Sequence, residues 1–99
     1  MEIIIQSLEI HIGDNLKKRI IRKLKSVCKA YSRISSCNVL LQNKKNNEQQ
    51  HHFIEVKLGV PGETLFTKQK GETFEAALSK AAIAIKHQLE KHKEKFEKV

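Results

Sequence analysis

Two stretches of this chain carry apolar residues at helical spacing, and each carries them on one face only. Leu16, Ile20, Leu24, Val27 and Tyr31 step by three or four, with Ile21 and Cys28 widening the stripe. Phe74, Leu78, Ala81, Ile85 and Leu89 repeat the pattern, and Phe96 extends it. A helix with a single apolar stripe must cover a flat apolar surface, and the remaining sequence supplies one.

Between and before the helical segments the hydrophobic period changes to two. Residues 3 to 12 alternate, with Ile3, Ile5, Leu8, Ile10 and Ile12 separated by Gln6, Glu9 and His11, which predicts a first strand with a bulge near Ser7. Gly13 and Asp14 read as a turn and helix N-cap, the Asp14 carboxylate also suiting the positive end of the helix dipole. The first helix is then expected over 15–31, broken by "SRISS". In "CNVLLQ" the residues Cys37, Val39 and Leu41 share a strand face, and in "HFIEVKLGV" Ile54, Val56 and Leu58 oppose Glu55 and Lys57. The intervening "NKKNNEQQHH" reads as a mobile polar loop or hairpin tip. "VPGET" turns the chain through Pro61 and Gly62, "TLFTKQ" forms a fourth strand, and the second helix begins near Glu72, just past Gly71.

The order is strand, helix, three strands, helix. The expected fold is α+β: a four-stranded sheet with both helices packed on one face, strands two to four forming an antiparallel meander and the pairing of the first strand left open. Ninety-nine residues suffice for one domain, 1–99, with one core. No apolar run approaches the twenty residues of a membrane span, and the N-terminal stretch lacks the basic segment and cleavage site of a signal peptide, so a cytoplasmic location is expected. Cys28 and Cys37 match neither a disulfide framework nor a zinc spacing and read as reduced core thiols.

Charge is the dominant compositional feature: 19 Lys and Arg against 11 Asp and Glu give a net +8. A domain this basic suits a polyanionic partner, although a row of exposed lysines is also simply a solvated face. The distribution favours the partner. Between Asn15 and Asn47 there are ten Lys or Arg and no acid. Lys18, Arg22, Lys25 and Lys29 form one helical row, flanked by Lys17, Arg19 and Lys23, and these cations repel one another within a screening length of about 8 Å. On the second helix Lys80, Ala84, His87, Lys91, Lys95 and Lys98 form another acid-free row, whereas Lys86, Glu90, Lys93 and Glu97 alternate in sign and suit intrahelical pairing. Two helices on the same side of a sheet would combine the acid-free rows into one basic surface.

Aromatic residues for base stacking are few: Phe53, Phe66, Phe74 and Phe96 fit the core or a strand face, and Tyr31 ends a core stripe. The expected readout is of backbone and shape, as for folded RNA. Sites for chemistry are missing from the pattern. His51 and His52 are adjacent and so face opposite ways in a strand, His87 and His92 lack partners four residues away, and no glycine-rich phosphate loop, nucleophile elbow or paired-carboxylate motif occurs. No enzyme activity, metal, cofactor or small-molecule substrate is expected.

The element order, "VPGETLF" at 60–66, "FEAAL" at 74–78 and above all "QLEKHKEK" at 88–95 resemble the ribosome hibernation promoting factor and ribosome-associated inhibitor family, also called protein Y or sigma-54 modulation proteins, in its short form without a C-terminal dimerisation domain. The resemblance implies a sheet with two helices on one face, similar to double-stranded RNA-binding domains. It also implies binding to the small ribosomal subunit and its rRNA in the decoding channel, where such proteins overlap tRNA and mRNA positions and idle ribosomes under stress. By position, Lys23, His87, Lys91, His92, Lys93 and Lys95 fall where the family has basic RNA contacts. His87 stands where arginine is usual and Ala84 where lysine is common, while Ser7 replaces a glycine and Ser79 and Ile83 replace acids. With the charge rows, the expected RNA-binding set is Lys18, Arg22, Lys23, Lys25, Lys29, Lys80, His87, Lys91, His92, Lys93 and Lys95. The protein is expected to be a monomer in isolation with no membrane partner. The alternatives are a regulatory protein-interaction module, such as a transcription-factor modulator, and a general double-stranded RNA binder.

Overall fold

The structure, a computed structural model, describes residues 2–46 and 49–96, the side chains of residues 45, 46, 49, 50 and 96 excepted. Its elements are β1 (Ile3–Leu8), α1 (Asp14–Cys28), β2 (Ser36–Asn46), β3 (Gln49–Val60), β4 (Glu63–Gly71) and α2 (Phe74–Phe96). The sheet order is β1-β2-β3-β4. β1 runs parallel to β2, and β2, β3 and β4 form the antiparallel meander that the sequence predicts. The parallel pairing of β1 follows from α1, which serves as the crossover connection that two parallel neighbours require.

Register places the inward set of each strand in line. Ile5 lies beside Val39, Val39 opposite Val56 and Val56 opposite Thr67, with Cys37, Leu58 and Leu65 forming the next row. Both helices cover this face. Ile20, Leu24 and Cys28 from α1 and Ala77, Leu78, Ala81, Ile85 and Leu89 from α2 join Val39, Leu41, Ile54, Val56 and Leu58 in one buried cluster. The α+β architecture expected from the two apolar stripes is therefore the one observed.

Element boundaries differ from the sequence expectation in four places. β1 ends at Leu8, because Glu9 turns into the left-handed region (φ 58°) and the Ser7 hydroxyl donates to the Ile10 carbonyl at 2.8 Å. Ile12 is buried from a non-strand segment. Asp14 is not a cap: Gly13 occupies the N-cap position without a side-chain hydrogen bond, and Asp14 contributes only as an acid in the first turn. α1 stops at Cys28, and Tyr31 reaches the core from the turn that follows.

The fourth difference concerns the stretch expected to be a polar loop or hairpin tip, which is a hairpin whose strands run farther than the hydrophobic pattern. β2 continues to Asn46 and β3 begins at Gln49, so most of "NKKNNEQQHH" is paired strand; residues 47 and 48 lie outside the described set. His52 and Asn43 are directly opposite on the inward side, and the His52 Nδ1–H donates to Asn43 Oδ1 at 2.5 Å. That bond, together with the edge contact of His52 on Phe74 at 4.6 Å, gives an otherwise polar hairpin end its own small core.

The return into α2 is tight. The Thr73 hydroxyl accepts from the Ala76 amide at 3.0 Å, capping the helix. At Gly71 a Cβ would come within 2.8 Å of the Ala77 amide nitrogen, so only glycine lets β4 pass this close to the helix start. Gly62, at φ 84°, makes the β3–β4 turn. Among the described residues no helix is long and apolar enough to cross a membrane.

Candidate nucleic-acid interface

The basic side chains of the helical layer fall into three groups, set by the angle each residue makes with its helix's core stripe. On α1 the core is centred on Ile20 and Leu24, so Lys18, Arg22, Lys25 and Lys29 point straight away from the sheet, and all four are exposed. Among the described residues none of these four has an acidic partner, so their charge faces solvent uncompensated.

The second group lines the groove between the helices. Arg19, Arg22, Lys23 and Ser26 of α1 face Glu75, Leu78 and Ser79 of α2 across a hollow of about 430 Å³. A second hollow of about 400 Å³ continues it between Lys23, Ser26, Val27 and Ala30 on one side and Ala82, Ile83 and Lys86 on the other. Farther along, the Lys93 ammonium donates to the Ala30 carbonyl at 3.3 Å, joining the last turns of α2 to the end of α1. Lys93 thus has an ordered position at the groove's end rather than a free one.

The third group sits on the opposite shoulder of α2, above the β4 edge. The Lys80 ammonium donates to the Lys70 carbonyl at 3.0 Å. Lys91 and Lys95 border a shallow hollow with Glu63, Leu65 and Gln88, and exposed His87 stands between Lys80 and Lys91 in the same row. Lys98, placed in this row by spacing, lies outside the described residues.

The two acid-free rows expected to meet on one surface therefore share the helical layer without facing each other. The row on α1 crowns its helix and reaches the groove through Arg22, the row on α2 falls on the far shoulder, and the other cations lining the groove are Arg19, Lys23, Lys86 and Lys93. By spacing alone Arg19 reads only as a flanking charge and Lys86 as part of a row that alternates in sign. The signal that would have found them is their offset of about 100° from the core centres Ile20 and Ile85, combined with a knowledge of which flank meets the neighbouring helix.

His92 departs from the expected set. It is 2% exposed, in the core beneath α2, and its Nδ1–H donates to Glu63 Oε2 at 2.5 Å while its ring meets Tyr31 edge-on at 5.5 Å. His92 follows Ile85 and Leu89 at plus seven and plus three, the spacing of the core stripe itself. Its side chain holds α2 to β4 and is not presented to a partner. His51 and His52 face opposite sides of the sheet, His51 toward Phe53 and His52 toward Asn43 and Phe74. Among the described residues no cluster of His, Cys, Asp or Glu is arranged to hold a metal ion.

Cys28 and Cys37 are free and buried. Burial pushes both thiols up, Cys37 to about 12 with a smaller contribution from the Cys28 sulfur. Neither has the low, exposed thiolate that nucleophilic chemistry needs.

Comparison with solved structures places this arrangement among known folds. A ribosomal subunit interface protein from Coxiella burnetii superposes with a TM-score of 0.81 at 18% identity, covering 94% of this chain and 98% of that one. The N-terminal domain of Thermus thermophilus Protein Y superposes with a TM-score of 0.74 at 16% identity, covering 89% and 93%. At these identities the likeness is one of fold. No curated protein sequence gives a significant match. The family model described as sigma 54 modulation protein / S30EA ribosomal protein matches residues 3–97, nearly the whole chain, and the chain belongs to that family.

Proposed function

We propose that this protein is a non-enzymatic, ribosome-binding translation inhibitor that acts by occupancy. Its helical layer neutralises rRNA phosphates of the small subunit, and its body fills the part of the decoding channel that tRNA and mRNA need. The observation that carries the reading is the crown of α1, where Lys18, Arg22, Lys25 and Lys29 stand exposed with no acidic partner among the described residues. Family membership and the fold shared with a ribosomal subunit interface protein support the choice of partner.

The mechanism needs only charge and shape. Phosphate contacts from lysine and arginine position a protein on folded RNA without reading its sequence. Each phosphate neutralised releases close to one counterion, which supplies most of the binding free energy at low salt. Lys23, Lys80, His87, Lys91, Lys93 and Lys95 extend the contact from the crown into the groove and over the α2 shoulder. Occupancy then excludes tRNA by volume, so no group in the protein has to react.

Competition tests this directly. Small subunits preloaded with the protein should bind initiator tRNA and a short mRNA with a reduced apparent affinity that excess protein drives toward zero. Simultaneous, non-competitive binding of the protein and tRNA would overturn the occupancy mechanism, and recovery of the protein on acidic proteins after nuclease treatment would favour a protein-interaction module instead.

A further inference from the structure

The sheet face turned away from both helices carries a second chemical surface, unused by the proposed ribosome contact. Inward and outward residues alternate, so the register that buries Ile54, Val56, Leu58 and Leu65 turns Phe53, Glu55, Lys57, Phe66, Lys68 and Lys70 outward. Phe66 is 43% exposed, among the few large hydrophobic side chains on the surface of the described residues.

We propose that this face is a binding platform for single-stranded RNA, with bases stacking on Phe53 and Phe66 and phosphates meeting the lysines around them. Each ring already meets at least one cation. The Lys44 and Lys68 ammoniums lie 5.6 and 5.3 Å from the Phe53 centroid, and that of Lys57 lies 5.9 Å from the Phe66 centroid. The ammoniums lie over the rings near the outer limit of about 6 Å for a cation–π contact, so an incoming base displaces weak contacts of flexible side chains, whose ammoniums then meet its phosphates. Lys57 is directly opposite Phe66 and four residues from Phe53 on the same strand. The rings are therefore about 13 Å apart along the sheet, room for an extended strand to lay one base on each with others between them.

Charge and shape select the occupant. Among the described outward positions of the sheet there are four lysines, Lys44, Lys57, Lys68 and Lys70, and one acid, Glu55, which lies opposite Lys68. The balance favours a polyanion. A duplex hides its base faces, whereas rings standing on a sheet can be used only by unstacked bases, which points to a single strand. A lipid surface fits less well, because the exposed aliphatics Ile4 and Leu8 sit on β1, across β2 from the rings, and the half-buried Leu40 between them is bordered by Asn38, Gln42 and Glu55. The Phe66 ring is also held in place: its backbone amide and carbonyl are both bound by the Gln88 side chain, which fixes where the ring projects.

The full-length chain titrated with a fluorescein-labelled oligouridylate of about ten nucleotides, read by anisotropy, tests the platform. Phe53→Ala/Phe66→Ala and, separately, Lys57→Gln/Lys68→Gln should each weaken binding about tenfold or more, since one stacked base contributes on that order. All four side chains face solvent, and the lysine pair reads the outcome alone if the aromatic pair does not fold. Both double variants should still co-sediment with small ribosomal subunits, whereas reversing Arg22 and Lys25 should cost subunit binding and leave oligouridylate binding within about threefold, which separates failure of this platform from failure of the ribosome reading. Absence of oligouridylate binding by the natural chain, unchanged affinity in the folded variants, or preferential binding to phosphatidylserine vesicles would overturn the proposal.

Discussion

The carboxamide of Gln88 binds both backbone polar groups of Phe66: its Nε2–H donates to the Phe66 carbonyl at 2.8 Å, and its Oε1 accepts from the Phe66 amide at 3.1 Å. A side chain on α2 thus takes the place of the next strand at the open edge of β4. Lys80 extends this cover by bonding the Lys70 carbonyl four residues farther along the strand. An exposed edge is a template for pairing with another chain, and here the helix above it occupies two of its backbone positions.

Gln88→Ala should lower stability by about 1–2 kcal/mol, since two hydrogen bonds are lost but the freed groups can reach water. It should also raise concentration-dependent self-association through β4. Urea unfolding and sedimentation velocity of the variant check both effects. Gln88→Glu should lose the donor half only and fall between the two.

His92 and Lys91 are neighbours in sequence and opposite in role. His92→Ala should cost about 2–4 kcal/mol, because it opens a cavity at a 2% exposed site and leaves Glu63 without its buried donor. Lys91→Ala, on the exposed shoulder, should change stability by no more than about 0.5 kcal/mol. Unfolding curves distinguish the two. Equal effects would contradict the placement of His92 in the core.

Glu9 pays the usual steric penalty of a non-glycine residue at positive φ. Glu9→Gly should therefore stabilise the protein, by up to about 1 kcal/mol after the extra flexibility of the unfolded glycine is set against the relief of strain. A rise in the urea midpoint with unchanged slope is the expected signature; a fall would show that the left-handed turn after β1 is not strained.

The buried thiols make stability fall at alkaline pH. Unfolded cysteines ionise near 8.5–9, whereas burial holds the Cys37 thiol in its neutral form up to about 12 and raises Cys28 as well. Above about pH 9 the unfolded chain releases protons that the native chain retains, so the unfolding free energy drops as pH rises toward 12 and is unaffected by these groups below pH 8. The slope is at most about 1.4 kcal/mol per pH unit for each thiol. Cys37→Ala should remove its share of that slope, measured as urea midpoints between pH 7 and 10, although it lowers stability at every pH by leaving a cavity.

The architecture was legible because Leu16 to Tyr31 and Phe74 to Leu89 each commit one helix face, and Val39, Leu41, Ile54, Val56 and Leu58 commit one sheet face; local spacing decides these. The extension of the β2–β3 hairpin was not legible, because Asn43 to Asn46 and Gln49 to His52 are polar and take strand form through backbone pairing and the His52–Asn43 bond. For the site, spacing identified the crown on α1. It could not tell which flank of α2 meets α1, which is a property of the helix arrangement, and so it joined Lys80, His87, Lys91 and Lys95 to the α1 row in one basic surface, whereas Lys80, Lys91 and Lys95 lie over β4. His92 enters the expected set only through the family resemblance, whereas its spacing from Ile85 and Leu89 is that of the core stripe, where it is buried. Phe53 and Phe66 alternate out of phase with Ile54 and Leu65, a signal sufficient to turn them outward.

The account rests on charge neutralisation by the helical layer, and the salt dependence of binding to small ribosomal subunits measures it most directly. With roughly six phosphates contacted, the logarithm of the binding constant should fall against the logarithm of salt concentration with a slope of about −4 to −5. Arg22→Ala/Lys25→Ala should make that slope shallower by about 2 while the unfolding free energy stays within about 1 kcal/mol of the natural chain. A slope near zero, or the same slope and affinity in the folded double variant, would contradict it.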